Sequence, residues 1–326
     1  MWFRSLTLYR VPAGWDMSAE TLAGKLQPQA FTSGSSLEET SIGWVPPREG
    51  HPSLVCSVNG QMLIALRQEK KLLPAKVVTQ VVKQRAEKLE EENGFKPGRR
   101  QLKELKEQVR DELLPRAFAL ASDTRVWIDP VNGWLVLDAG SAAKAEAVFT
   151  SLLKAIDRLP AKALRVTDSV AGAMTAWLVT GEAPAGFTVD QDAELRARDG
   201  KATIRYANQS LEQDDITRHT DAGKLCTKLA LTWAGRVSFM LTDKLEIKRV
   251  KPLDVLKESG GGVGAEANAD ERFDSDLMLM TGELAKMLAG VVDALGGELQ
   301  EAASAPQTTA AGQPPSTAGG PQAKAA

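Results

Sequence analysis

The sequence predicts an α+β fold built on antiparallel sheets, with a helical hairpin projecting from its body. Asn59-Gly60, between the runs 55–58 and 61–67, supplies the two positive-φ residues of a tight type I′ hairpin turn. Residues 125–138 and 228–250 hold further strand pairs, around Pro130-Val131-Asn132-Gly133 and Asp243-Lys244. Helical patterns at 74–114 and 141–180 come in blocks instead of alternating with strands, which argues against a doubly wound sheet.

The elements follow in order. Residues 2–10 read as a strand with imperfect alternation, and 16–26 as a short helix capped by Asp16 or Ser18. Pro74 opens a helix to about residue 92, with Val77, Val78, Val81, Val82 and Leu89 on one side. Residues 93–98 break it, and a second helix at 99–114 carries Leu102, Leu105, Val109 and Leu113 at spacings of three or four. So short a break makes a helical hairpin. A strand pair at 125–129 and 134–138 is followed by helices at 141–159 and 170–180. Short strands are expected at 187–190 and 202–206, a short helix at 214–222, and a meander at 228–233, 236–242 and 245–250. Gly260-Gly261-Gly262-Val263-Gly264 reads as a loop, and Asp274-Ser275 as the cap of a helix at 276–295 closed by Gly296-Gly297. The Ala, Pro, Gly, Ser, Thr and Gln of residues 302–326 cannot bury enough apolar surface to fold, so a disordered tail is expected from about 301. The expected division is a central α+β region (1–75 and 120–165), a hairpin tip (76–119) and a C-terminal α+β region (166–300).

Composition narrows the function. No stretch has the ~18 uninterrupted apolar residues of a membrane span. The start, Met1-Trp2-Phe3-Arg4, is not that of a secretory signal. Cys56 and Cys226 match no zinc spacing and read as reduced thiols of a cytoplasmic protein. Net charge is only -2, but it is segregated. Residues 67–116 hold 14 Lys and Arg against 9 Asp and Glu, and 214–251 hold 8 against 5, whereas 252–326 hold 4 against 11. Such segregation builds a positive surface on an acidic protein.

Chemistry is sparse. His51 and His219 form no HxxxH or HExxH pattern, and the glycine run at 260 lacks the Lys and Ser or Thr of a P-loop. Asp214-Asp215 and Asp274-Ser275-Asp276 stand where helices begin, which explains them as caps; read otherwise, Asp214, Asp215, Asp274 and Asp276 would make a metal-dependent nuclease. No cofactor or metal is expected. Cations spread over several elements, Lys70, Lys71, Lys76, Arg99, Arg100, Arg116, Lys224, Lys228 and Lys248, suit a surface that tracks a nucleic-acid backbone without reading bases. A protein-protein adaptor is the third reading.

Ordered strings add specificity. Trp2-Phe3, Gly43-Trp44-Val45-Pro46-Pro47, Asn59-Gly60-Gln61, Leu72-Leu73-Pro74 and Leu113-Leu114-Pro115-Arg116-Ala117-Phe118 come first. Trp127-Ile128-Asp129, Ala222-Gly223-Lys224, Thr227-Lys228-Leu229-Ala230-Leu231, Arg272-Phe273-Asp274 and Leu279-Met280-Thr281-Gly282-Glu283-Leu284 follow. Together, over roughly residues 1–300, they resemble the RdgC family of recombination-associated proteins. The resemblance implies a ring-shaped homodimer with a basic central hole. It implies binding to double- and single-stranded DNA with little sequence preference, restraint of RecA-dependent recombination, and a place on the cytoplasmic nucleoid. By the same resemblance Phe118 closes one dimer contact and Arg116 and Lys224 belong to the DNA surface. Asn208-Gln209 is similar to a Lys-Gln pair at a second contact, with Asn in place of the charged residue. The alternative for Phe118 is burial in its own subunit's core.

Overall fold

In the computed structural model of the chain, which describes residues 2–12, 15–259 and 268–299, the strands join into one 12-stranded sheet rather than separate sheets. Its N-terminal half holds β1 (Ser5–Arg10), β2 (Thr40–Val45), β3 (Cys56–Val58), β4 (Gln61–Lys71), β5 (Ala119–Asp129), β6 (Trp134–Asp138) and the short β7 (Lys162–Ala163). Its C-terminal half holds β8 (Phe187–Ala197), β9 (Thr203–Tyr206), β10 (Lys224–Trp233), β11 (Val237–Thr242) and β12 (Ile247–Pro252). The order is β2-β4-β5-β6-β1-β12-β11-β10-β8-β9, with β3 on β4 and β7 on β1, and every strand pair is antiparallel. The halves meet at a narrow seam, where Ser5 and Leu6 of β1 pair with Lys248 and Ile247 of β12.

Alternation along β6 shows how the layers are built. Successive side chains of a strand point to opposite faces. Trp134 and Val136 enter the larger core, with α5 (Val170–Thr180), α6 (Gln213–Asp221) and α8 (Ala269–Ala294). Leu135 and Leu137 enter a second core on the other face, with α1 (Ala19–Leu26) and α4 (Ala142–Ala155). β6 is therefore buried on both sides, and its sequence is a continuous apolar run. Helices α2 (Ala75–Asn93) and α3 (Arg99–Leu113) lie against each other, bridged by Arg85 and Glu112. α7 (Asp254–Ser259) precedes the undescribed residues 260–267.

Most elements fall where the sequence puts them, and the departures have local causes. The hairpin turn is formed by Asn59 (φ 49°) and Gly60 (φ 76°). The first helix is capped by Ser18, whose hydroxyl accepts from the Thr21 N–H, not by Asp16. β1 starts at Ser5 instead of Trp2, because Phe3 turns into the core before pairing begins. β5 and β8 extend well beyond the expected 125–129 and 187–190. The cap of α8 is corrected from Asp274-Ser275 to Asn268, which shares a reciprocal capping box with Glu271. Asp274 is thereby freed for an ion pair with Arg48. The glycine loop at 260–264 and the expected tail at 301–326 lie outside the described residues.

Candidate nucleic-acid interface

The end of the β4–β5 ladder gathers several expected site residues. In register, Lys70 faces Leu120 and Lys71 faces Ala119, while the Leu72 N–H donates to the Phe118 carbonyl at 2.7 Å. The 3-10 turn Leu114–Arg116 leads into this ladder, bringing Arg116 and Phe118 to the same end. Lys76, in the first turn of α2, comes five residues after Lys71, the last residue of β4. Phe118 is 85% exposed, so it is not in its own subunit's core, and Leu72, hydrogen-bonded to it, and Leu120, two residues on, are exposed too. Scattered apolar residues are ordinary on a surface, but a clustered apolar patch marks an interaction site.

Arg99 and Arg100 lie at the start of α3, a helix length of about 22 Å from Arg116. They do not join the Phe118 group. Arg100 is held by Glu104 at 3.0 Å, an exposed i,i+4 pair. Lys224, Lys228 and Lys248 lie in the C-terminal half on β10 and β12. The expected cations thus form three groups, not one continuous patch.

Several of them have intramolecular partners. Lys71 donates to the backbone carbonyls of Ser35, at 3.1 Å, and Ser36. Lys248 pairs with Glu246 at 2.8 Å, and Lys228 donates to Glu194 at 3.0 Å. Lys70, Lys76, Arg99 and Arg116 are exposed. Sequence reasoning missed Arg196 and Arg205 beside Lys228, because cross-strand register decides who meets whom, and no local pattern prints it.

Asn208 and Gln209 are exposed on the turn after β9. Asn208 takes a left-handed conformation (φ 50°), and its N–H donates to Asp192 at 2.9 Å. It borders an open depression of about 740 Å³ on the sheet face, with Ala230 and Met240 in its lining and Asp192, Arg249 and Lys251 around it.

Of the four carboxylates of the nuclease reading, Asp214, Asp215 and Asp274 are placed as structural groups, and Asp276 lies within α8. Asp214 and Asp215 stand in the first turn of α6, where the helix N-terminus favours negative charge, and Asp215 also pairs with Arg218 at 3.1 Å. Asp274 binds Arg48 at 3.0 Å, beside Asp270, whose carboxyl is held below its usual range chiefly by the hydrogen bond with His51. No group of three or more His, Cys, Asp or Glu that could hold a metal occurs among the described residues. Asp129 is likewise structural: it accepts from the Val131 and Asn132 N–H groups, each at 3.0 Å, and shapes the turn into β6. No helix among the described residues is long and apolar enough to cross a membrane.

Comparison with known proteins supplies the rest. A family model described as "Putative exonuclease, RdgC" matches residues 1–298. The "Recombination-associated protein RdgC" of Janthinobacterium sp. (strain Marseille) is 58% identical over 302 residues, which is 92% of this chain and all of that protein. The proteins of the same name from Herminiimonas arsenicoxydans and Paraburkholderia phymatum are 57% and 56% identical. Those matches cover 91% and 94% of this chain and 99% and 100% of theirs. The chain therefore belongs to the RdgC family.

Proposed function

We propose that this chain is a non-enzymatic, sequence-independent DNA-binding protein that encircles DNA as a ring-shaped homodimer and restrains RecA-dependent recombination on the cytoplasmic nucleoid. The observation that carries the reading is the match to recombination-associated relatives along almost the whole chain. Local features support it. Phe118, exposed beside Leu72 and Leu120, offers an apolar contact for a second copy. Burying a side chain of that size contributes ~1.5–3 kcal/mol. In this reading α2 and α3 form the projecting hairpin that carries Arg99 and Arg100, and Asn208-Gln209 forms the second dimer contact without the charge of the family's Lys. Lys70, Lys76, Arg116 and Lys224 then meet phosphates of double- or single-stranded DNA.

Encirclement has a topological test. The purified protein is loaded at low salt on covalently closed circular DNA and then challenged with high salt. Retention on circles and loss after linearisation is the expected result. Equal loss from both forms would contradict the ring.

A further inference from the structure

Glu194 lies mid-strand in β8 with its side chain only 4% exposed, yet it is ringed by cations. In register it faces Arg205 of β9 on one side and Lys228 of β10 on the other. Arg205 donates to its Oε2 at 2.8 Å and Lys228 to the same oxygen at 3.0 Å. The two cationic heads therefore sit no farther apart than the sum of those distances. The Thr227 hydroxyl lies 3.3 Å from Oε1, and Arg196, two residues along β8, lies 4.0 Å from it.

One buried carboxylate needs one cation to be matched, and this one has three. Their surplus charge is directed outward: the side chains of Arg205, Arg196 and Lys228 remain 70%, 56% and 42% exposed. The neighbours Ala193 and Leu195 point into the core with α5 and α8, so Glu194 and its cations occupy the other face of the sheet. Cations packed this closely repel one another in water, and without the carboxylate beneath them they would spread apart.

We propose that Glu194 is a positioning residue for DNA, gathering Arg205, Lys228 and Arg196 into a single site for a backbone phosphate. The inference rests on the DNA-binding reading above and adds a site to it. Glu194 never touches DNA. It holds the Arg205 and Lys228 heads close enough for one phosphate to accept from both, with Arg196 alongside as the third cation of the site.

The test turns on a sign. Glu194→Gln makes the protein one unit more positive, so charge alone predicts tighter DNA binding. Positioning predicts the opposite. Affinity for a duplex is measured across salt for the full chain, Glu194→Gln, Glu194→Asp and Arg196→Gln, with melting temperature as the control for folding. Expected are weaker binding by Glu194→Gln, partial rescue by Glu194→Asp, and a salt slope for Arg196→Gln smaller by up to about 0.9, the value of one phosphate contact. Glu194→Gln binding as tightly as the unaltered chain, or Arg196→Gln with an unchanged slope, overturns the site. Should Glu194→Gln fail to fold, Arg196→Gln decides alone. An unaltered chain that does not bind duplex overturns the DNA-binding reading itself, and this site with it.

Discussion

Arg236 and Glu283 meet in a two-bonded fork, Nε to Oε2 at 2.8 Å and Nη2 to Oε1 at 2.7 Å. The pair ties the turn before β11 to the middle of α8, and the Glu283 side chain is only 8% exposed. Removing the arginine leaves a buried carboxylate without its partner. Because Arg236 is itself a third exposed, Arg236→Ala should cost about 2 kcal/mol, less than a fully buried pair would. Urea denaturation checks this, and replacing both residues with methionine should recover much of the loss.

Glu194 gives a pH dependence. Burial pushes its carboxyl up, but the hydrogen bonds from Arg205 and Lys228 outweigh that and hold it below the usual carboxylate range. A carboxyl depressed in the folded state contributes stability above its unfolded pKa and loses it as pH falls through the folded value. Stability measured from pH 7 down to pH 3 should therefore fall less steeply in Glu194→Gln than in the unaltered chain. Parallel curves would show that the carboxylate is not linked to folding.

Phe118 separates assembly from folding. It is almost fully exposed, so Phe118→Ser should change the stability of the isolated subunit by no more than about 0.5 kcal/mol. Sedimentation should instead show a weaker dimer. An unchanged dimer at low protein concentration would remove Phe118 from the interface.

Gly43 tests packing at one end of the sheet. A Cβ there would lie 2.4 Å from the Phe31 Cα and 2.7 Å from its nitrogen, both backbone atoms that cannot swing aside. The Phe31 N–H donates to the Trp44 carbonyl at 2.8 Å, so moving the segment breaks a bond as well. Gly43→Ala should destabilise by about 1–3 kcal/mol, read as a lower urea midpoint.

The local fold was legible wherever one segment carries its own signal. The Asn59-Gly60 hairpin and the helix at 170–180 need no distant partner to be read. β2 went unread because Gly43 interrupts it and its buried residues, Gly43, Trp44 and Val45, are consecutive instead of alternating. The first two turns of α8 went unread because Asp270, Glu271 and Arg272 face solvent and show no apolar period. The single sheet depends on the pairing of Ser5 with Lys248, remote in sequence, which no window contains. The same limit applies to the interface. Charge segregation pointed to Lys228, but its partner Glu194, and Arg205 that shares this carboxylate, come from other strands and were found only in the fold.

Sequence-independent contact with the DNA backbone is the central claim, and a salt titration tests it most directly. Binding of the purified protein is measured on two duplexes of unrelated sequence across a range of salt concentrations. The account predicts overlapping curves in which log affinity falls linearly with log salt, by about 0.9 for each phosphate contacted. Binding that is flat in salt, or confined to one of the two sequences, would contradict it.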